Sequence, residues 1–419
     1  MSETLQVLYD QNLVGHIFRG NKIINFRYDT SWITKNNSFP ISYSLPFNES
    51  NYTDQANNYF SNLLPEGTIR STVAYRHGVS AEDDFALLEV IGAECAGALQ
   101  IVPDQELKKV EAYDYQNITE SDLKSLRKNL DSPSSELDKL LKFSLAGAQE
   151  KCSIYYKDEQ FSIPLNRAPS NHIVKFQPID DRVYRVPENE VISTLYLKEL
   201  GLNVAECKLL KIDGTTMSLH KRYDRIEKGD KLIRLHQEDV CQCLSIPPTL
   251  KYQSDSGIDL TTIAKLVRDH CSIPAKGIER LIDWVLGVVL IRNGDAHAKN
   301  FSFLYKGGQV EVTPLYDMVC TDLYKGKVDT TLALNIGDVS KPDSVTRKNL
   351  TQFAEQIDVK PRIIFKRLDN YLSKVDEAIN KVSLETEKQG ISTNHLKPLI
   401  KIFKKAAKNI GPMPNGDLE

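Results

Sequence analysis

Residues 281–317 read LIDWVLGVVLIRNGDAHAKNFSFLYKGGQVEVTPLYD, and the folding of this stretch decides how the rest of the chain is read. From Leu281 to Ile291 only Asp283 interrupts the apolar run. The apolar residues recur at three- and four-residue steps, the period of a buried helix. Arg292-Asn293-Gly294-Asp295 breaks the period with polar residues around a glycine, which turns a helix into a loop. Phe301–Tyr305 then reads as a strand, Lys306-Gly307-Gly308 as a turn, and Gln309–Thr313 as the returning strand of a hairpin. Such a hairpin delivers Asp317 near the place where Asp295 and Asn300 leave the core.

Two carboxylates and an amide beside the cationic Lys299 form a set that phosphoryl transfer needs. One Asp accepts the proton of the attacking hydroxyl, while an Asn and a second Asp hold Mg²⁺. Asp295 to Asn300 has the D-x-x-x-x-N spacing of a protein-kinase catalytic loop. Alone, that spacing equally describes a loop with Asp and Asn as turn formers. The apolar helix before it, the hairpin and the later Asp give it meaning.

The 419 residues are enough for two to three domains or one large two-lobed enzyme, and 41% hydrophobic content supports a sizeable core. A net charge of -3 argues against wholesale coating of nucleic acid. The seven cysteines include no C-x-x-C pair, which fits free thiols rather than a disulfide framework or zinc site. The amino-terminal residues lack a signal-peptide pattern, and no run approaches the roughly 20 apolar residues of a membrane span, so a cytoplasmic protein is expected.

Residues 1–105 read as an N-terminal α+β subdomain: a hairpin at Leu5–Tyr9 and Val14–Arg19, alternation over Phe39–Leu45, helical segments over Asn57–Val73 and Ser80–Val90, and a strand at Ala98–Val102. Nothing in it looks catalytic, and it reads as a structural or partner-binding module. Residues 106–140 read as a linker with one helix near Ser121–Leu130. Residues 141–235 bring strands at Cys152–Tyr156, Gln160–Pro164, His172–Phe176, Ala205–Ile212 and Thr216–Tyr223. Lys175 stands inside the apolar run His172–Phe176, where an ammonium is costly to bury without a partner. An ATP phosphate, or Glu188 or Glu190 at the head of the next helix, would serve; the other reading is an edge strand with the Lys in solvent. Residues 236–410 read as a helical lobe: Leu235–Leu244 as a helix with acidic residues in its first turn, then helices at 259–271, Arg347–Ile357, Arg362–Val382 and His395–Ile410, and a strand or extended segment at Thr330–Ile336. The last helix has a lysine-rich face. Residues 411–419 read as a disordered tail. No Walker A loop occurs, which disfavours a P-loop NTPase.

The segments SLAGAQEK at 144–151, HIVKF at 172–176, PENE at 187–190, KRYDR at 221–225, HQED at 236–239, GDAHAKNFSF at 294–303 and PLYD at 314–317 occur in the order found in HipA-family bacterial serine/threonine kinases, the toxin half of toxin–antitoxin modules. SYSLPF, LLPEG and GAECAGALQ are similar to the family's N-terminal subdomain. The resemblance implies an α+β, two-lobed protein-kinase-like fold: a β-rich N-terminal lobe with an extra subdomain and a mostly helical C-terminal lobe. It implies Asp295 as catalytic base, Asn300 and Asp317 as Mg²⁺ ligands, and His297 and Lys299 near the phosphates, with Tyr316 in the same ATP-binding set. Lys175 would contact the phosphates, Ala146, Gly147, Ala148, Gln149, Glu150 and Lys151 would form the phosphate loop, and Lys221, Arg222 and Tyr223 the hinge, with Gln237 near the nucleotide. Ser144 would be the autophosphorylated serine that switches the kinase off.

The resemblance also implies an aminoacyl-tRNA synthetase as protein substrate, the glutamate–tRNA ligase among them, with growth arrest as the outcome. A HipB-like helix-turn-helix antitoxin would be the partner and would carry most contacts to operator DNA. Two other readings stand beside it: a nucleotide-binding co-repressor without turnover, and a small-molecule kinase of the aminoglycoside type, which would need neither Ser144 nor the N-terminal module.

Overall fold

The computed structural model of the chain describes residues 3–20, 23–48, 50–104, 113–128, 147, 149–229 and 231–411. It divides into two compact units. One comprises Met1–Gln177, Leu210–Lys251 and Ser302–Thr313; the other Pro178–Leu209, Tyr252–Phe301 and Pro314–Glu419.

The first unit is rich in strands. Thr4–Tyr9 (β1) and Asn12–Arg19 (β2) make the expected hairpin, and Ile24–Tyr28 (β3) and Leu99–Pro103 (β4) complete a sheet of order β3-β2-β1-β4. Its apolar face packs with Tyr59 and Phe60 of the helix Asp54–Ser61, both fully buried. Asp114–Ile118 (β5), Lys151–Lys157 (β6), Gln160–Leu165 (β7), His172–Phe176 (β8), Cys207–Ile212 (β9) and Thr215–Lys221 (β10) form a second sheet of order β5-β7-β6-β8-β10-β9. β8, the strand that carries Lys175, is therefore central, with β6 and β10 antiparallel on either side. The edge-strand reading of Lys175 is excluded.

Several expectations need correction here. Within 106–140, where a linker with one helix was expected, β5 is a strand of the sheet, although the helix is present as Glu120–Lys128. Phe39–Leu45 forms no strand; its backbone turns at a Ser42–Leu45 bridge, and Ser42 Oγ donates to Glu238 at 2.5 Å. Leu235–Leu244 is not one helix. His236–Asp239 is a strand paired with Ser302–Lys306, which in turn pairs with Gln309–Val312, and only Val240–Cys243 is helical. The acidic residues explain this. Glu238 accepts from Ser42, the Tyr43 amide and Tyr305, so it faces inward, while Asp239 is the N-cap that closes a capping box with Gln242. A hairpin at Arg225–Lys228 and Lys231–Arg234 was not foreseen.

The second unit is mainly helical. Its centre is the helix Pro274–Ile291, with every residue from Leu281 to Ile291 buried. Asp283, the one charge in that run, accepts two bonds from Arg367 at 2.8 and 2.9 Å and one from the Tyr371 hydroxyl at 2.7 Å, so the carboxylate is paired as burial demands. Leu260–His270 and Thr393–Asn409 pack against it, with Arg347–Gln356 on the first of these and Val186–Leu200 on the second. The expected helix Arg362–Val382 is two, Pro361–Leu372 and Val375–Lys388, broken at Ser373-Lys374. Thr330–Ile336 forms no strand and is fixed by the bond from the Ala333 amide to the Gly294 carbonyl at 2.7 Å. All seven cysteines are free thiols. Among the described residues no helix is long and apolar enough to cross a membrane.

Candidate active site

In the second unit the site grows from the end of the helix Pro274–Ile291. Arg292 takes a left-handed conformation (φ 54°) and ends the helix. Its guanidinium holds Asp322 at 2.9 Å. Gly294 follows, donating to Thr321 Oγ1 at 2.6 Å; a Cβ there would meet the Thr330 carbonyl oxygen at 2.4 Å, so no other residue fits without moving backbone. Asp295 is exposed at the tip. Its amide is capped by Asn293 Oδ1 at 3.0 Å, and its carboxylate accepts from the Tyr252 hydroxyl at 2.9 Å. The Tyr252 ring meets His297 edge-on, with centroids 5.4 Å apart.

The chain then folds inward, and His297, Lys299 and Asn300 are buried. Trp284 of the central helix fixes the Asn300 carbonyl at 3.2 Å, and the Tyr316 hydroxyl donates to the Lys299 carbonyl at 2.6 Å. Asn300 Nδ2 donates to Asp317 Oδ2 at 3.0 Å, and Asn293 reaches the Asp317 carbonyl at 3.4 Å. The return of Asp317 to Asn300 expected from the hairpin is thus present. Asp317 is left-handed (φ 57°), a conformation that Asp tolerates and that clusters at functional sites.

Three supports hold Asp317 in place. Leu315 bridges in parallel to Val204. Gly287 lets Leu315 and Met318 approach the central helix. Asn189, buried in the helix Val186–Leu200, closes both halves of the Cys320 peptide, donating to its carbonyl and accepting from its amide at 2.9 Å each. An amide oxygen and a carboxylate one hydrogen bond apart form a hard-oxygen donor set that fits Mg²⁺.

In the first unit, Lys175 is buried on β8, and its cross-strand neighbours are Lys151 on β6 and Ser218 on β10. Directly opposed residues of an antiparallel pair point to the same face, and opposed like charges repel. Two lysines placed so suit a polyphosphate. Beside them Gly147 (φ 107°) bridges to Pro65, and a Cβ on it would come within 2.7 Å of Lys151 Nζ. Gln149 donates to the Phe176 carbonyl at 3.1 Å, and the Glu150 carbonyl accepts from the Phe176 amide at 3.0 Å, so this stretch runs along the lysine strand. Ser144, Ala146 and Ala148 lie outside the described residues.

Lys221 ends β10 and is exposed, whereas the Arg222 side chain is buried in ion pairs with Glu94 and Asp224. The Arg222 amide donates to the Asn171 carbonyl. Tyr223 shares hydrogen bonds with Thr313 and Gln237, and burial together with Asp224 raises its hydroxyl pKa above the ordinary value. Gln237 Oε1 is buried, with no partner among the described residues.

Sequence reasoning missed Tyr252, Asn189, Thr321 and Glu94. Asn189 stood inside PENE between the two glutamates singled out for Lys175, but its target lies far along the chain and no local pattern shows it.

Two family models match the chain: the HipA N-terminal domain over residues 5–102 and the HipA-like C-terminal domain over residues 143–381. A Sinorhizobium fredii protein named as a kinase, Y4mE, is 32% identical, covering 91% of this chain and 92% of its own. The serine/threonine-protein kinase toxin HipA of Shewanella oneidensis is 27% identical over 85% of this chain and 83% of its own. The fold is that of Shewanella oneidensis HipA as solved with HipB and its operator DNA, with a TM-score of 0.81 at 23% identity, covering 96% of this chain and 97% of that one.

Proposed function

The chain belongs to the HipA family of serine/threonine kinases, and from that premise we propose that it transfers the γ-phosphate of ATP to a protein serine as the toxin of a toxin–antitoxin pair. The observation that carries the proposal is the bond of Asn300 to Asp317 beside an exposed Asp295 held by Tyr252.

In this reading Asp295 accepts the proton of the attacking serine hydroxyl, and the Tyr252 hydroxyl keeps its carboxylate oriented. Asn300 and Asp317 hold Mg²⁺, which when bound neutralises charge on the transferred phosphoryl group. Lys299 and His297 face the phosphates. On the family's pattern, Lys175, Lys151 and the phosphate loop would take ATP phosphates, and residues 221–223 with Gln237 the base. The Arg222 amide is already spent on Asn171, so adenine contact falls to the other backbone groups of 221–223.

The finer parts rest on the family. Ser144 is the autophosphorylation site; roughly two added negative charges beside ATP would disfavour its binding. The substrate is an aminoacyl-tRNA synthetase, glutamate–tRNA ligase being the first to try. The partner is a HipB-like antitoxin that carries the operator DNA contacts, in the cytoplasm.

The test is transfer of labelled γ-phosphate from ATP with Mg²⁺, to the chain itself and to purified synthetases. Asp295→Asn should lower the rate at least about a thousandfold, since it removes both base and charge. Unchanged transfer by that variant would overturn the assignment.

A further inference from the structure

The motif GAECAGALQ lies in the N-terminal module, far in sequence from every residue assigned to the nucleotide, yet its Glu94 lies at the centre of a buried charge cluster in the first unit. Glu94 Oε1 accepts from Arg222 at 3.0 Å, Arg225 at 2.9 Å, the Ser170 amide at 3.1 Å and Ser170 Oγ at 2.7 Å, and Oε2 accepts from Arg234. Arg222 then spends every donor it has. Nε and one Nη2 hydrogen go to Asp224, Nη1 to Glu94 and Ser170, and the other Nη2 hydrogen to the Cys95 carbonyl. Asp224 in turn accepts from the Gly97 amide at 2.8 Å, and Arg225 donates to the Gly97 carbonyl at 2.9 Å. Gly97 is left-handed (φ 78°), and a Cβ on it would meet the Gln237 amide nitrogen at 3.0 Å.

The residues so gripped flank Lys221–Tyr223. On one side Ser170 and Asn171 precede β8, and the Asn171 carbonyl takes the Arg222 amide. On the other, Asp224 fixes the turn out of β10, and Gly97 lies against Gln237. A core ion pair kept only for stability is replaceable by apolar residues at little cost. This cluster instead fixes the backbone of one short segment from three directions.

We infer that Glu94 is a positioning residue for nucleotide recognition: through Arg222 and Asp224 it sets where Lys221–Tyr223 and Gln237 present their backbone and amide groups to the base. The N-terminal module is then part of the ATP-binding machinery and not an appended partner-binding domain. The inference rests on the assignment of Lys221–Tyr223 to adenine made above.

The experiment compares the full-length wild type with Glu94→Gln, which keeps volume and removes charge, and with Arg234→Gln, which removes only the outermost partner. ATP and GTP affinities are measured with fluorescent analogues, alongside kcat, KM and melting temperature. Glu94→Gln should weaken ATP binding at least tenfold and narrow the preference for ATP over GTP, with kcat at saturation within about threefold of wild type. Arg234→Gln should move the same quantities by a smaller factor, and it decides the matter if Glu94→Gln does not fold. A lowered melting temperature with unchanged ATP affinity and base preference would overturn the inference and leave the kinase assignment intact. A wild type that binds no ATP would remove the adenine assignment itself, and the inference with it.

Discussion

The three side chains proposed for chemistry were legible because their spacing is local: Asp295 and Asn300 share one loop, and Asp317 follows one hairpin. The residues that aim them were not, because each acts across a long loop closure. Tyr252 reaches Asp295 over 43 positions, and Asn189 reaches Cys320 over 131. Two predictions belong at this scale. Tyr252→Phe should lower kcat about tenfold with little change in KM for ATP, the cost of losing one charge-assisted bond that orients the base; steady-state kinetics would show it, and an unchanged kcat would deny Tyr252 that role. Gly294→Ala must push the Thr330 carbonyl away from a 2.4 Å clash. Overpacking of that kind costs about 1–3 kcal/mol, so both urea midpoint and transfer rate should fall, and a variant that kept both would mean the loop yields more than its hydrogen bonds suggest.

Among the elements, those with one clear period were read well and those with a competing partner were not. The central helix was foreseen from Leu281, and only its amphipathic first turns from Pro274 were missed. Leu235–Leu244 went wrong because acidic residues at a helix start and inward-facing acids on a strand look alike until Ser42, Tyr43 and Tyr305 are known to sit opposite Glu238. Arg362–Val382 kept an amphipathic pattern through a break that carries neither Pro nor Gly. Asp283 shows how an element tolerates an exception. Its carboxylate fastens Pro274–Ile291 to Pro361–Leu372 through Arg367 and Tyr371. Removing one partner of a buried pair costs about 3–5 kcal/mol. Arg367 keeps some solvent, so Asp283→Ala should fall near the lower figure in chemical denaturation. Replacing Asp283, Arg367 and Tyr371 together by Leu, Met and Phe should recover most of the loss. Failure of the triple variant to recover would mean that the pair sets helix register as well as satisfying charge.

At the scale of the whole chain, composition and motif order led to an α+β kinase-family protein, and the β-rich and helical units bear that out. What composition could not give was the tie between the N-terminal module and the KRYDR segment, because ion pairing among Glu94, Asp224 and three arginines is a property of the folded first unit alone. That tie has a pH signature. Burial by itself would raise the Glu94 pKa, but Arg234, Arg225 and Arg222 outweigh it and hold the carboxyl well below its ordinary value of 4.5; Asp224 is lowered in the same way by Arg222 and Arg225. A carboxyl whose folded pKa is depressed binds protons more readily unfolded than folded. Its stabilisation is therefore fully present above about pH 4.5 and is lost as pH falls from there towards the folded value. Glu94→Gln has no such proton to bind and leaves three arginines facing one aspartate. The stability gap between wild type and Glu94→Gln, measured by denaturant titration, should hold level from pH 7 to 5 and narrow steadily below that, because only the unfolded wild type takes up a proton at Glu94. A gap that stayed constant down to pH 3.5 would show that the arginines do not depress the Glu94 pKa in the folded state, and the account of how the module grips the segment would fail with it.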